Sequence, residues 1–151
     1  MNQFSGDIRE IDLGGFQVVR GEMFAHTPRR TEPTCTIWPN ALSYSMSTVV
    51  ALNTCDFVRI EIHPTKKQML VIPVSESDRD SVRWISQGKH VQARKIECKS
   101  FTQPLYKQWD WESNLIYRAV GRLVHSGQRL MMLFDFSSPE VWPEKKAEQN
   151  E

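Results

Sequence analysis

The sequence predicts an α+β, mostly β protein in which two strand–helix–hairpin units pack into one small barrel-like domain. Three observations predict it: residues 57–63 alternate apolar and polar side chains, residues 115–136 form a second β-rich stretch around a glycine-containing turn, and a short helical pattern precedes each stretch. Because an isolated hairpin is only marginally stable in water, each unit is expected to bury its apolar face against the other.

The first unit is predicted to start with a strand over Ile37–Tyr44 that Pro39 interrupts. A short helix over Ser47–Leu52 follows, and then a hairpin over Phe57–Val74. Its turn is the stretch PTKK at residues 64–67, whose proline and polar residues are typical of turns.

Residues 75–86, SESDRDSVRWIS, are predicted to form a connecting helix, because serines can cap it and acidic residues fill its first turn. The second unit then repeats the plan, with a strand over Lys95–Phe101, a helix over Gln103–Trp109 and a hairpin over Leu115–Phe136. The order of elements therefore indicates an internal duplication. The alternative is a chance recurrence of a common local arrangement.

The units divide the chain into four parts. These are an N-terminal strand and loop (1–34, with the β-rich stretch FQVVRGEMF at 16–24), the first unit with its trailing helix (35–93), the second unit (94–142) and a mobile tail (143–151).

Composition argues against several classes of protein. The three cysteines, Cys35, Cys55 and Cys98, form no CxxC pair and are odd in number, which favours free thiols over a disulfide scaffold or a zinc site. The sequence contains neither a signal peptide of recognisable form nor an apolar run long enough to span a membrane. We therefore expect a cytoplasmic protein without a metal or other cofactor.

No catalytic pattern is visible. The four histidines, His26, His63, His90 and His125, form no metal-binding motif, and the sequence lacks phosphate-binding glycine loops and a GxSxG elbow. We expect a non-enzymatic protein, with an enzyme of unrecognised motif as the alternative.

The order strand, short helix, hairpin resembles the AbrB-like swapped-hairpin domains, and its tandem arrangement over Thr36–Phe136 resembles the MraZ regulators. Members of that superfamily are mostly DNA-binding transcriptional regulators or antitoxins, which implies DNA binding here. MraZ repeats carry a DNA-binding Asp and Arg in the helix region, whereas the corresponding stretch SMSTVVALN at 45–53 has neither.

Three further stretches are similar to an uncharacterised family from mobile elements of gut Firmicutes, often labelled "integrase". They are IDLGGFQVVRGEMF (11–24), IEIHPTKKQMLVIPV with SESDRDSVRW (60–84), and IYRAVGRLVHSG (116–127). The resemblance implies a bacterial mobile-element or phage setting. The label does not fit, because a tyrosine recombinase needs a helix-borne Tyr beside two Arg and a His or Lys.

Basic residues are concentrated in the second half. Between Arg79 and Arg129 there are ten Lys/Arg and four Asp/Glu. Such a bias favours a phosphate-binding surface, although a solvated charged face would have the same composition. The candidate nucleic-acid-binding residues are Arg94, Lys95, Lys99, Arg118, Arg122 and Arg129.

Arg118 and Arg122 share strand parity, so both should project from one face about 13 Å apart. In the alternative interpretation, their aliphatic stems cover apolar surface and their guanidinium groups pair with acids.

Trp109 and Trp111 are either a base-stacking platform or core residues, of which the core is favoured. Overall the sequence favours a DNA-binding regulator of a mobile element or phage, with double-stranded DNA as partner. The alternative is a protein–protein module, an inhibitor or accessory factor that binds another protein of the element. Either could be an oligomer.

Overall fold

Two antiparallel hairpins form the centre of the fold, as predicted from the alternation over residues 57–63 and from the glycine-containing turn of the second β-rich stretch. A computed structural model describes residues 8–21, 32–86, 88 and 90–145. Within these residues it contains nine strands and two helices. They are β1 (Thr34–Trp38), β2 (Ala41–Tyr44), α1 (Met46–Ala51), β3 (Phe57–His63), β4 (Gln68–Pro73), β5 (Val82–Arg83), β6 (Ile96–Glu97), α2 (Lys99–Gln108), β7 (Leu115–Ser126), β8 (Arg129–Asp135) and β9 (Glu140–Pro143).

The strands form one curled, antiparallel half-barrel in the order β5-β3-β4-β8-β7-β1-β2-β6, and β9 adds to β7. The hairpin β3–β4 joins the hairpin β7–β8 through pairing of β4 with β8. At the other side of the barrel β2 pairs with β6. The prediction of a mostly β, barrel-like domain is confirmed at this level.

The core lies inside the curled sheet. Met69 and Val71 of β4 stand opposite Phe134 and Met132 of β8, and all four side chains are buried. Tyr44 reaches across the barrel and donates its hydroxyl to the Met69 sulfur at 3.1 Å. Burial of these large apolar side chains is the main stabilising term of the domain.

The predicted interruption at Pro39 is a turn. Residues 34–44 form two paired strands, with Cys35 opposite Tyr44 and Trp38 opposite Ala41. Pro39 and Asn40 lie between the two strands, where proline's missing N–H costs no ladder hydrogen bond.

The predicted helix over residues 75–86 is wrong. The Ser75 hydroxyl accepts the Ser77 N–H at 3.1 Å and the Asp78 carboxylate accepts the Asp80 N–H at 2.8 Å. These local side-chain hydrogen bonds compete with a helical backbone, so the residues expected to cap a helix form turns instead. Trp84, expected on a helical stripe, is buried just after β5.

The predicted strand over Lys95–Phe101 is also too long. Only Ile96 and Glu97 pair with β2, and α2 begins at Lys99, four residues before the predicted helix. The Cys98 carbonyl accepts the N–H groups of Phe101 and Thr102 at 2.8 and 2.9 Å, which closes the first helical turn.

Both ends of the chain differ from expectation. Strand β9, which contains Val141 and Trp142, lies where the sequence predicts at most residual packing. Within the described part of the N-terminal region, residues 16–21 of the predicted strand form no strand. Residues 22–24 and the tail from 146 onward lie outside the described residues.

Candidate nucleic-acid interface

The six predicted basic residues do not form one cluster. Lys95 and Arg118 lie together on the outer face of the sheet around β1, β7 and β9. Arg122 and Arg129 lie on the β7–β8 hairpin. Arg94 is exposed before β6, and Lys99 is the first residue of α2.

Two tryptophans define the surface that carries Lys95 and Arg118. Strands β1 and β9 pair with opposite edges of β7. Trp38 of β1 and Trp142 of β9 therefore lie on either side of Ile116 in β7. The depression between them has a volume of about 310 Å³. We refer to this surface as the tryptophan patch: Trp38, Lys95, Ile116, Arg118, Trp142 and Lys145.

Each tryptophan of the patch has a cation over its ring. The Lys95 Nζ lies 4.3 Å from the centre of the Trp38 ring. The Arg118 guanidinium carbon lies 5.1 Å from the centre of the Trp142 ring. Both distances are within the range of cation–π attraction. Each indole ring of the patch is therefore in contact with a positively charged side chain.

Arg118 is also ion-paired. Its Nε donates to the Glu140 carboxylate at 2.7 Å, and Glu140 stands opposite Arg118 in the β7–β9 pair. Arg118 thus behaves as the alternative interpretation expects, pairing with an acid and lying over apolar surface. Because Glu144 also borders the depression, the net positive charge of the patch is small.

Arg122 lies near the carboxylate of Asp135 on β8, and Arg129 lies near that of Asp78 in the loop after the first hairpin. Arg118 and Arg122 do share the outward face of β7, as parity predicts, because Tyr117, Ala119 and Gly121 point inward. The pKa of Asp135 is lowered mainly by a hydrogen bond from the Ser137 N–H, with a smaller contribution from Arg122. Neither arginine reaches the tryptophan patch.

The aromatic pair Trp109–Trp111 is part of the core region. Trp109 is fully buried, which confirms the favoured interpretation for that residue. Trp111 is half-buried and stacks on Tyr117 with ring centres 3.8 Å apart. Its π-face is therefore occupied by a partner within the chain.

Two of the thiols are shielded by burial, and His63 forms a hydrogen bond within a hairpin turn. Burial raises the pKa of the Cys35 thiol, and it raises that of Cys98 to about 11, so both are protonated at neutral pH. The His63 Nδ1 accepts the Lys66 N–H at 3.1 Å and so belongs to the hairpin turn. Among the described residues, no three His, Cys, Asp or Glu side chains come together as a metal site would require. His26 lies outside those residues.

Sequence reasoning missed Trp38 and treated Trp142 only as a packing residue. A signal was available for Trp38, because it has the opposite strand parity to the buried Cys35 and Ile37 and must therefore point outward. For Trp142 no local signal existed, since its position depends on the long-range pairing of β9 with β7.

In the part of the chain that the structure describes, no helix has the length and apolar character to cross a membrane. Comparisons with protein-family models, with curated proteins and with solved structures give no significant match to this chain.

Proposed function

We propose that the protein is a non-enzymatic DNA-binding regulator of a bacterial mobile element or phage, built from two AbrB-like swapped-hairpin units. The observation that carries the proposal is the tryptophan patch, in which two outward indole rings each carry a cation. The strand pairing and the helix positions support the duplicated architecture.

The pattern of strand pairing supports a duplication that includes β1–β2–α1–β3–β4 and β5–β6–α2–β7–β8. In this duplication β1 corresponds to β5, β2 to β6, β3 to β7 and β4 to β8. When each strand is replaced by its counterpart, the pair β1·β7 becomes the pair β5·β3, and both pairs are present. The same replacement converts the pairs β2·β6 and β4·β8 into themselves. A two-fold axis through the barrel would produce this pattern, with each unit covering the hairpin of the other.

The helices contain a second correspondence. The buried polar side chains among the described residues are Thr48 and Thr102, and each lies in the first turn of its helix. The Thr48 hydroxyl donates to the Thr34 carbonyl at 3.4 Å, and the Thr102 hydroxyl to the Pro39 carbonyl at 2.6 Å. The correspondence therefore lies in the buried threonine and not in its acceptor, because Thr48 binds β1 of its own unit and Thr102 binds the β1–β2 turn of the other unit.

The patch has the chemistry that nucleic acid requires. In duplex DNA the bases already stack on one another, so the indole rings can contribute apolar contact to sugars and base edges in a groove. Lys95 and Lys145 can contact phosphates, while Glu140 already neutralises Arg118. With about two phosphate contacts, the affinity should fall roughly tenfold between 50 and 200 mM salt.

Fluorescence anisotropy with a labelled 20-base-pair random duplex at low salt tests this function. We expect Trp142→Ala and Lys95→Glu each to weaken binding about tenfold or more, through lost apolar contact or reversed charge. Lys107→Glu is the matched control, because Lys107 is an exposed lysine on α2 outside the patch. Binding that is absent at low salt, or that Lys107→Glu weakens as much as Lys95→Glu, would contradict the proposal.

A further inference from the structure

The N-terminal segment over residues 8–21 carries several exposed apolar side chains. Over residues 8–21 the large apolar side chains are all well exposed, with Phe16 at 70% and Val18 at 87%. The stretch Phe16–Arg20 is rich in aromatic and β-branched residues, a composition typical of a strand. Contiguous exposed apolar residues of this kind mark an interaction site.

Strand β7 has an edge that no described residue occupies beyond Gly121. Strand β1 pairs with β7 only as far as Thr34 opposite Val120, followed by a hydrogen bond from the Gly121 N–H to the Pro33 carbonyl. Because N–H groups alternate between the two edges of a strand, the N–H groups of Leu123 and His125 face this same edge.

The chain itself turns away from this edge. The Glu32 carbonyl accepts hydrogen bonds from the hydroxyls of Ser47 and Ser45, at 2.7 and 3.3 Å, at the start of α1. Continuation of β1 along β7 therefore ends at Pro33. An unpaired strand edge is a ready template for another strand.

The side chains around the edge match those of the segment. Leu123 and Leu130 are 47% and 37% exposed on one face of the hairpin end, and Val120 is exposed on the other. Arg122 and Arg129 give this end positive charge, whereas Arg9, Glu10, Asp12 and Arg20 balance one another in the segment. Backbone hydrogen bonds and apolar contact, and not charge, therefore favour the pairing.

We propose that two copies of the chain form a dimer by strand exchange, in which residues 16–20 of each copy pair with the β7 edge at 122–126 of the other. The segment and the edge occur in the same chain, so a two-fold arrangement satisfies both reciprocally. This dimer does not depend on the proposed DNA binding.

Sedimentation equilibrium of the full chain tests the dimer. We expect the wild type to dimerise, and Val18→Glu and Leu123→Glu each to raise the dissociation constant about thirtyfold or more, as for central interface residues. Val50→Glu is the matched control, because Val50 is 58% exposed on α1, away from the edge. A monomer at about 100 µM, or a dimer insensitive to both variants, would overturn the proposal.

Disulfide trapping tests which chains exchange. Equal amounts of Val18→Cys and Leu123→Cys chains are mixed and oxidised. Wild type is oxidised in parallel, because its three native thiols set the background of cross-linking. We expect a cross-linked species of twice the chain mass in the mixture and not in either variant alone. A double Val18→Cys, Leu123→Cys chain that cross-links only within itself would show that the segment binds its own β7 edge, and would overturn the exchange.

Discussion

The two hairpins of the barrel contribute alike to its core and differ at their outer faces. Met69 of the first hairpin and Met132 of the second are both fully buried. On the outer face, Ile72 of the first hairpin and Met131 of the second are 3% and 7% exposed, whereas Val120 of the second is 51% exposed. The outer face of the second hairpin is therefore covered at Met131 on β8 and open at Val120 on β7.

The cover of the first hairpin comes from the loop that follows it. Arg59, which stands opposite Ile72 on β3, donates to the Asp78 carboxylate in that loop at 2.8 Å. The outer face of β7 in the second hairpin carries Arg118, Val120 and Arg122, beside the tryptophan patch and the unpaired edge. The two hairpins thus differ most at β7, which carries residues of the proposed DNA-binding surface and of the proposed dimer interface.

The largest expected effect tests whether the two hairpins contribute equally to the core of the barrel. Met69→Ala and Met132→Ala should each lower the free energy of unfolding by about 2–5 kcal/mol, since each leaves a cavity in the core. Urea denaturation at pH 7 measures both. If one substitution costs less than about 1 kcal/mol, the two hairpins do not share the core equally.

The next prediction concerns the tight packing of the second hairpin. A Cβ atom at Gly121 would lie 2.6 Å from the Phe134 ring and 3.0 Å from the Met132 side chain. Gly121→Ala should therefore destabilise the protein by about 1–3 kcal/mol through overpacking. Gly21→Ala is the control, because no atom lies within 4 Å of its added Cβ. Equal melting temperatures for the two variants would argue against this close approach.

The outer faces can be compared with one pair of matched substitutions. Ile72→Thr should cost about 1–3 kcal/mol, because it buries a hydroxyl group in place of a methyl-rich side chain. Val120→Thr should change the free energy of unfolding by no more than about 0.5 kcal/mol. Thermal unfolding of both variants checks the comparison, which fails if Val120→Thr is the more costly.

The smallest expected effect concerns the loop that covers the first hairpin. A hydrogen bond from the Asp80 N–H, assisted by Arg59, lowers the pKa of Asp78. Folding therefore favours ionised Asp78, and this stabilisation is present above about pH 4 and lost as the pH falls through the lowered pKa. Asp78→Asn should reduce the melting temperature slightly at pH 7, with the difference from wild type vanishing near pH 2. A difference that persists at that pH would contradict this role.

The parts of the fold that local pattern determines were predictable. The first hairpin follows from alternation of apolar residues, and the second from a β-rich stretch around a glycine-containing turn. The buried Trp109 follows from its place beside a helix. The connecting helix over residues 75–86 was mispredicted because serine and aspartate serve equally well as helix caps and as turn formers. Local sequence does not distinguish the two, and the burial of Trp84 in the barrel decides between them.

The candidate site was predicted only in part. Lys95 and Arg118 belong to the tryptophan patch, and the parity of β7 correctly places Arg118 and Arg122 on one face. The other four basic residues, Arg94, Lys99, Arg122 and Arg129, lie before β6, on α2 and on the β7–β8 hairpin, outside the residues that define the patch. Those positions depend on strand pairings between distant residues, which composition does not contain.

The most direct test of the account is NMR of the tryptophan indole N–H signals during titration with duplex DNA at low salt. We expect the Trp38 and Trp142 signals to shift or broaden, because both rings lie at the patch, and the buried Trp84 and Trp109 signals to stay unchanged. If the patch tryptophans are unaffected while DNA binds elsewhere, or if DNA does not bind at all, the second half of the chain does not carry the function proposed for it.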